Sequence, residues 1–244
     1  MKINDIYSYL DSLSPFVLQE KWDNSGLIVG NMDDEFKEVY ISLDLDLEII
    51  KKVKKNSLII THHPLIFSPL KTINNDTYST KILNKLIKKD IALISMHTNI
   101  DKTHLNSYVG CDILGLDFKK ADDFILTADI NLSFKSFSKL LKEKLGLETL
   151  KVTNKKKMIR TVSLTTGSGM SLLPNIKTDC FITGDIKYHE AMEAKARDIC
   201  LIDIGHYESE IHFTTLIDGL LDKYLKTNEK KAIILESNNP FNYI

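Results

Sequence analysis

The sequence predicts an α/β protein whose sheets are mixed but largely parallel. Two observations carry this: apolar runs of strand length alternate with amphipathic helical patterns, and chemistry-bearing side chains gather where those runs end. Parallel strands joined by helical crossovers leave their carboxyl ends along one edge of a sheet, which is where open α/β folds bind ligands. Four runs fit: 58–61 before His62 and His63, 91–96 before His97, 200–204 before His206, and 179–183 before Gly184 and Asp185, with His189 in the helix that follows.

Along the chain, Ile3, Ile6, Tyr9, Leu10 and Leu13 recur at helical spacing until Ser14-Pro15 stops the pattern, so residues 3–13 form an amphipathic helix. A polar connection with Trp22, Asp23, Asn24, Gly26 and Gly30 follows. Strands are expected at 38–43, 58–61 and 91–96, with helices at 47–55 and 80–89 between them. After a helix at 105–114 the charged, turn-rich stretch 115–120 marks a change of pattern. The next set comprises a strand at 124–130, a helix at 134–145, and strands at 147–152 and 161–165 separated by the solvated run 154–157. A strand at 180–183, a helix at 189–196, a strand at 200–204, a helix at 211–225 and a strand at 232–235 complete the order. The expected division is residues 1–120 with 200–244 as a metal-binding α/β domain and 121–199 as a second α/β domain. Because metal-type residues fall both early and late, either the tail folds back onto the first domain or the site lies between the two.

With 43% hydrophobic residues in 244, the chain can build a proper core in one large or two small domains. Lys+Arg 32 against Asp+Glu 33 leaves a net charge of −1, so no global basic field argues for nucleic acid, and a nucleic-acid partner has no support in charge. Arg160 and Arg197 are the only arginines, which leaves few bidentate phosphate clamps. Cys111, Cys180 and Cys200 lack CxxC spacing, and the two in apolar strands, Cys180 and Cys200, read as small buried hydrophobes. The start of the chain carries no signal-peptide pattern, and no apolar run approaches the ~20 residues of a membrane span, so a cytoplasmic protein without membrane contact is expected.

Inside a regular strand, neighbouring side chains point to opposite faces. His62 and His63 stand where the strand ends, and Pro64 restrains His63 to extended angles, so both rings can project from the sheet edge. Asp101 follows His97 after a turn, and the spacing of four sets His206 and Glu210 on one helix face. His62, His63, Asp101, His206 and Glu210 offer the imidazole and carboxylate donors that zinc, iron and manganese accept alike. Five ligands exceed the three usual for one catalytic ion and suit two divalent ions ~3.5 to 4 Å apart, which would generate hydroxide from water near neutral pH. Hydrolysis is the natural reaction class. His97 and His189 are candidate catalytic residues that steady ligands or shuttle protons, and Asp185 is a further candidate site carboxylate. His104 and His212 read as surface residues. The turn Thr165-Thr166-Gly167-Ser168-Gly169 is either an ordinary tight turn or a presenter of backbone amides to an anion.

Six segments, in order, resemble the motifs of the GTP cyclohydrolase 1 type 2 family, also called the NGG-one-interacting-factor-three-like family. They are Trp22-Asp23-Asn24-Ser25-Gly26-Leu27-Ile28-Val29-Gly30, Thr61-His62-His63-Pro64-Leu65, His97-Thr98-Asn99-Ile100-Asp101, Gly167-Ser168-Gly169, Thr183-Gly184-Asp185-Ile186-Lys187-Tyr188-His189-Glu190 and Gly205-His206-Tyr207-Glu208-Ser209-Glu210. The resemblance implies two interleaved α/β domains, a dinuclear metal site between them, and a ring-shaped homohexamer with the metals facing an internal cavity. It makes His62, His63, Asp101, His206 and Glu210 the ligands, with Glu210 bridging. Residues 121–178 leave no room for the domain that many relatives insert there, so the chain resembles the short form. The implied reaction opens the imidazole ring of GTP by hydrolysis, releasing formate and leaving dihydroneopterin triphosphate. Two alternatives use the same ions: a non-catalytic, metal-stabilised oligomeric scaffold for a protein or nucleic acid partner, and a metal-dependent phosphoesterase.

Overall fold

In a computed structural model, which describes residues 1–242, eleven strands form two sheets. The strands are β1 (Gly26–Val29), β2 (Val39–Ser42), β3 (Ser57–Thr61), β4 (Ile91–Ser95), β5 (Lys119–Lys120), β6 (Leu126–Ser133), β7 (Lys151–Thr153), β8 (Met158–Leu164), β9 (Cys180–Thr183), β10 (Cys200–Asp203) and β11 (Ala232–Ile234). The helices are α1 (Ile3–Leu13), α2 (Leu47–Lys52), α3 (Tyr78–Lys88), α4 (Thr98–Ile100), α5 (Phe134–Leu145), α6 (Tyr188–Ala196), α7 (His206–Glu210) and α8 (Phe213–Thr227). The chain divides into two compact units, one of Met1–Ile100 with the segment from Phe213 onward, the other of Asp101–His212. Among the described residues no helix is long and apolar enough to cross a membrane.

The first unit is built on the sheet β1-β4-β3-β2-β11, in which β4, β3, β2 and β11 run parallel and β1 runs antiparallel to β4. Parallel pairing of β2 with β3 and of β3 with β4 follows from the helical crossovers α2 and α3 between them. Each crossover starts on a side-chain cap: Asp46 Oδ1 accepts from Ile49 N at 2.6 Å, and Thr77 Oγ1 accepts from Thr80 N. Tyr40, Ile59 and Leu93 pack with Ile49, Ile50, Ile82 and Leu86 of these helices. Leu58 and Ile60, which alternate to the opposite face, are equally buried, so the sheet is covered on both sides. α8 packs against β2 and β11, and Tyr224 on it stacks on Tyr9 of α1 with centroids 4.1 Å apart.

The second unit has the sheet order β5-β6-β8-β9-β10-β7, mixed in direction: β8, β9 and β10 are parallel, and the remaining pairings are antiparallel. Phe181 and Leu201 on the central strands pack with Met170, Leu173, Ile186 and Ala194. Cys180 and Cys200 are fully buried and sit opposite each other in register on β9 and β10.

The divide between units falls elsewhere than the expected 120 and 200. β10 satisfies its backbone groups on β9 and β7, which keeps residues 200–212 in the second unit, so His206 and Glu210 belong there. At the other boundary the chain enters the second unit at Asp101, because Gly110 lies tight against Phe118 and Leu164. The helix expected at 105–114 is wound wider than an α-helix over Asp101–Leu105 and Tyr108–Ile113, as the bond from Leu114 N to Val109 O shows. The helix expected at 211–225 is α8, shifted by two residues, with the short α7 carrying His206 and Glu210 before it, and the polar connection after α1 contains an unforeseen strand, β1.

Leu86 is fully buried between α3 and the first sheet. Leu86→Ala is expected to lower unfolding free energy by about 3 kcal/mol in urea titrations, the usual cost of a core truncation that leaves a cavity.

Candidate metal centre

At the carboxyl end of β3 the backbone leaves the regular ladder. His62 N and His63 N both donate to Leu43 O, at 3.2 and 3.4 Å. Two successive amides on one carbonyl mean the chain is turning there, and the strict alternation of side chains is lost. Consequently the two imidazoles lie together, with centroids 4.8 Å apart and planes tilted by 52°. His97, just past the end of the parallel neighbour β4, completes the group at 5.2 Å from His62 and 5.3 Å from His63. One ring nitrogen from each of His62, His63 and His97 lies within 4.8 Å of the others, close enough to share an ion.

All three rings are held in the same way. His62 Nδ1 is 2.8 Å from Met96 O, His63 Nδ1 is 2.9 Å from Asp44 Oδ1, and His97 Nδ1 is 2.8 Å from Asp23 Oδ1. A carbonyl and two carboxylates can only accept, so each Nδ1 carries the proton and donates it. The tautomer thereby fixed places the lone pair on Nε2 in all three rings. Oxygen partners on the far nitrogen are the usual support of metal-binding histidines, and the residues present therefore fit a divalent ion.

Asp23 is the most heavily bonded of these supports. Its side chain is fully buried; Oδ1 accepts from Asn24 N at 2.7 Å as well as from His97, and Oδ2 accepts from Ser25 Oγ at 3.0 Å, Thr98 N at 3.1 Å and Thr98 Oγ1 at 2.5 Å. Burial works to raise its pKa, but the hydrogen bond and charge of His97, with the bonds from Thr98 and Asn24, outweigh burial and hold the carboxyl well below the usual range. Asp23 was not among the residues expected at the site. The usable signal was topological: β1 pairs antiparallel with β4, Gly26 opposite Ser95, so residues just before β1 stand beside residues just after β4.

In the second unit, α7 sets His206 and Glu210 on one face as their spacing requires, with His206 Nε2 2.9 Å from Glu210 Oε2. His206 Nδ1 is 2.7 Å from Asp185 Oδ2, repeating the pattern of an imidazole braced by an acid. Glu210 has only 5% of its side chain exposed, and Gly167 makes the space for it: a Cβ there would stand 1.9 Å from Glu210 Oε1, and the backbone has φ +60°. The glycine-rich turn spends its amides within the unit, Gly167 N on Ser209 Oγ and Gly169 N on Thr183 Oγ1, both near 2.9 Å or shorter. Its role is to shape the room around Glu210.

Asp101 is half-buried at the start of the wide helical stretch, and its carbonyl accepts from Asn106 Nδ2 at 3.2 Å. Asn106 Oδ1 in turn accepts from Thr166 N at 2.7 Å, which ties that stretch to the glycine turn. His189 is exposed on α6, its ring edge-on to Tyr188. His104 and His212, read from sequence as surface residues, are half-buried, and burial lowers the pKa of each.

The sequence profile of the Duf34/NIF3 (NGG1p interacting factor 3) family matches residues 1–240. A Campylobacter jejuni protein named GTP cyclohydrolase 1 type 2 homolog is 46% identical over 244 residues, 100% of each chain. A Helicobacter pylori protein named GTP cyclohydrolase 1 type 2 is 42% identical over 224 residues, 91% of this chain and 92% of its own. The crystal structure of the Staphylococcus aureus protein SA1388 superposes with a TM-score of 0.86 at 26% identity, covering 100% of this chain and 99% of its own.

Two outcomes follow from this geometry. Since the folded pKa of Asp23 is depressed, its stabilisation is present above the unfolded carboxylate range and lost as pH falls through the folded value; Asp23→Asn should therefore flatten the acid limb of urea stability against pH. Gly167→Ala should cost more than about 1 kcal/mol, combining positive-φ strain with displacement of Glu210, seen as a lower thermal midpoint.

Proposed function

On the premise that the chain belongs to the Duf34/NIF3 family, we propose that it is a metal-dependent hydrolase of the GTP cyclohydrolase type, opening the imidazole ring of a purine nucleotide. The observation that supports this reading is the set of three imidazoles whose Nδ1 atoms are all committed to oxygen acceptors, which assigns Nε2 of His62 and His63 to an ion and Nε2 of His97 to a proton. Its substrate class comes from relatives that bear the cyclohydrolase name.

In this reading His62, His63, Asp101, His206 and Glu210 hold two divalent ions, zinc, iron or manganese. When bound, such ions acidify water and polarise the atom under attack. His97 manages the proton. Because Asp23 keeps Nδ1 protonated, exchange takes place at Nε2, and the adjacent carboxylate stabilises the imidazolium formed when Nε2 accepts a proton. His97 can then return that proton to the ring nitrogen that leaves the carbon being hydrolysed. Asp185 plays the corresponding orienting part for His206.

The test is formate release from GTP by protein loaded with manganese, zinc or iron, with phosphate followed in parallel. Formate is expected, and His62→Ala should reduce both bound metal and formate by about 100-fold or more, as loss of a ligand outweighs loss of a supporting bond. Phosphate without formate would replace this reading by phosphoesterase chemistry. No turnover at full metal occupancy would leave the metals a structural role.

A further inference from the structure

Beside the imidazole group of the first unit lie two aromatic rings that metal binding does not employ. Trp22 is 56% exposed and Phe67 51% exposed, although rings of this size gain most from burial. Their centroids are 5.7 Å apart with planes tilted by 48°. Each stands nearly edge-on to His97, Trp22 at 6.1 Å and 75°, Phe67 at 6.2 Å and 72°. The three rings thus form an aromatic corner beside the residue that handles the proton.

The corner is braced from behind. Asn24 Nδ2 donates to Ile66 O at 2.6 Å, linking the residue two past Trp22 to the residue before Phe67. Asp23, adjacent to Trp22, is fixed by the bonds from Asn24, Ser25, His97 and Thr98. Half-exposed rings on a restrained backbone are pre-organised for a flat partner, since little ordering entropy remains to be lost on binding. The charge inventory points the same way. Arg160 and Arg197 both belong to the other unit, so the first unit offers no bidentate guanidinium clamp for phosphate, which favours recognition through the base.

We infer that Trp22 and Phe67 form the base-recognition subsite, on which a planar heteroaromatic ring stacks against one aromatic side chain and meets the other with its edge, beside His97. This deepens the hydrolase reading and rests on it for the choice of a purine. Stacking on aromatic side chains tolerates any flat base, so the subsite supplies affinity and placement, and the surrounding polar groups supply choice.

Trp22 is the single tryptophan of the chain, so its fluorescence reports on the corner directly. Metal-loaded protein is titrated with guanosine, GTP and inorganic tripolyphosphate. Guanosine and GTP should quench saturably while tripolyphosphate does not, and Phe67→Ala should weaken guanosine about 10-fold at unchanged metal content. Phe67→Leu, which keeps bulk without an aromatic face, should show the same direction. Emission insensitive to millimolar guanosine, equal quenching by tripolyphosphate, or wild-type guanosine affinity in both variants would overturn the inference. So would emission that shifts with protein concentration alone, which would assign the corner to a second copy of the chain. Formate release is measured on the same samples. Formate with silent Trp22 removes the stacking subsite and leaves the hydrolase; saturable guanosine binding without formate removes the hydrolase and leaves the subsite.

Discussion

One hydrogen-bond pattern organises the site: an imidazole Nδ1–H donated to an oxygen that can only accept. It occurs at His62, His63 and His97, with Met96 O, Asp44 and Asp23 as the acceptors. Each bond removes two freedoms, the tautomer and the ring rotation, so that a cluster of otherwise mobile, titratable rings becomes a fixed array of Nε2 lone pairs. Without those acceptors three neighbouring imidazoles would compete for protons and repel when charged. The sheet exists, functionally, to put the acceptors there. Asp44 lies past β2, His62 and His63 past β3, and His97 past β4, and parallel pairing brings these carboxyl ends to one edge.

The second unit solves a related problem with a different device. Glu210 is nearly buried, and a buried carboxylate is tolerated only with a partner. His206 supplies one a helical turn away, and Asp185 braces His206 in its turn. Room for the carboxylate comes from the absence of a side chain at Gly167, whose amide is held on Ser209. A glycine-rich turn after a strand is often read as an anion cradle. Here the same backbone conformation serves to admit an acidic side chain of the protein itself.

Asp23 joins stability to chemistry. Its buried carboxylate is kept ionised by the bonds that also orient His97, so the group that steadies the fold is the one that fixes the Nδ1 proton and the ring of His97. The segment that carries Asp23 also carries Trp22, and the bond from Asn24 to Ile66 O couples that segment to Phe67. One short connection thus positions His97 and an exposed aromatic surface together.

The sequence by itself determined the α/β class, most strand and helix positions, and the chemical character of the site. Buried parallel strands read as continuous apolar runs, and imidazoles at their ends follow from where such strands must stop. The pairing of His206 with Glu210 was equally legible, because an i,i+4 spacing is local geometry. Tertiary structure alone decided the rest. Asp23 and Asp44 reach their histidines across 74 and 19 residues, distances over which periodicity carries no information. The allotment of residues 101–120 and 200–212 to the second unit depended on which ladder β10 joined and what Gly110 packed against, and both are long-range choices. Local pattern fixes what a segment can become; which neighbour satisfies its hydrogen bonds and fills its packing is settled only when distant parts of the chain compete for the same surface.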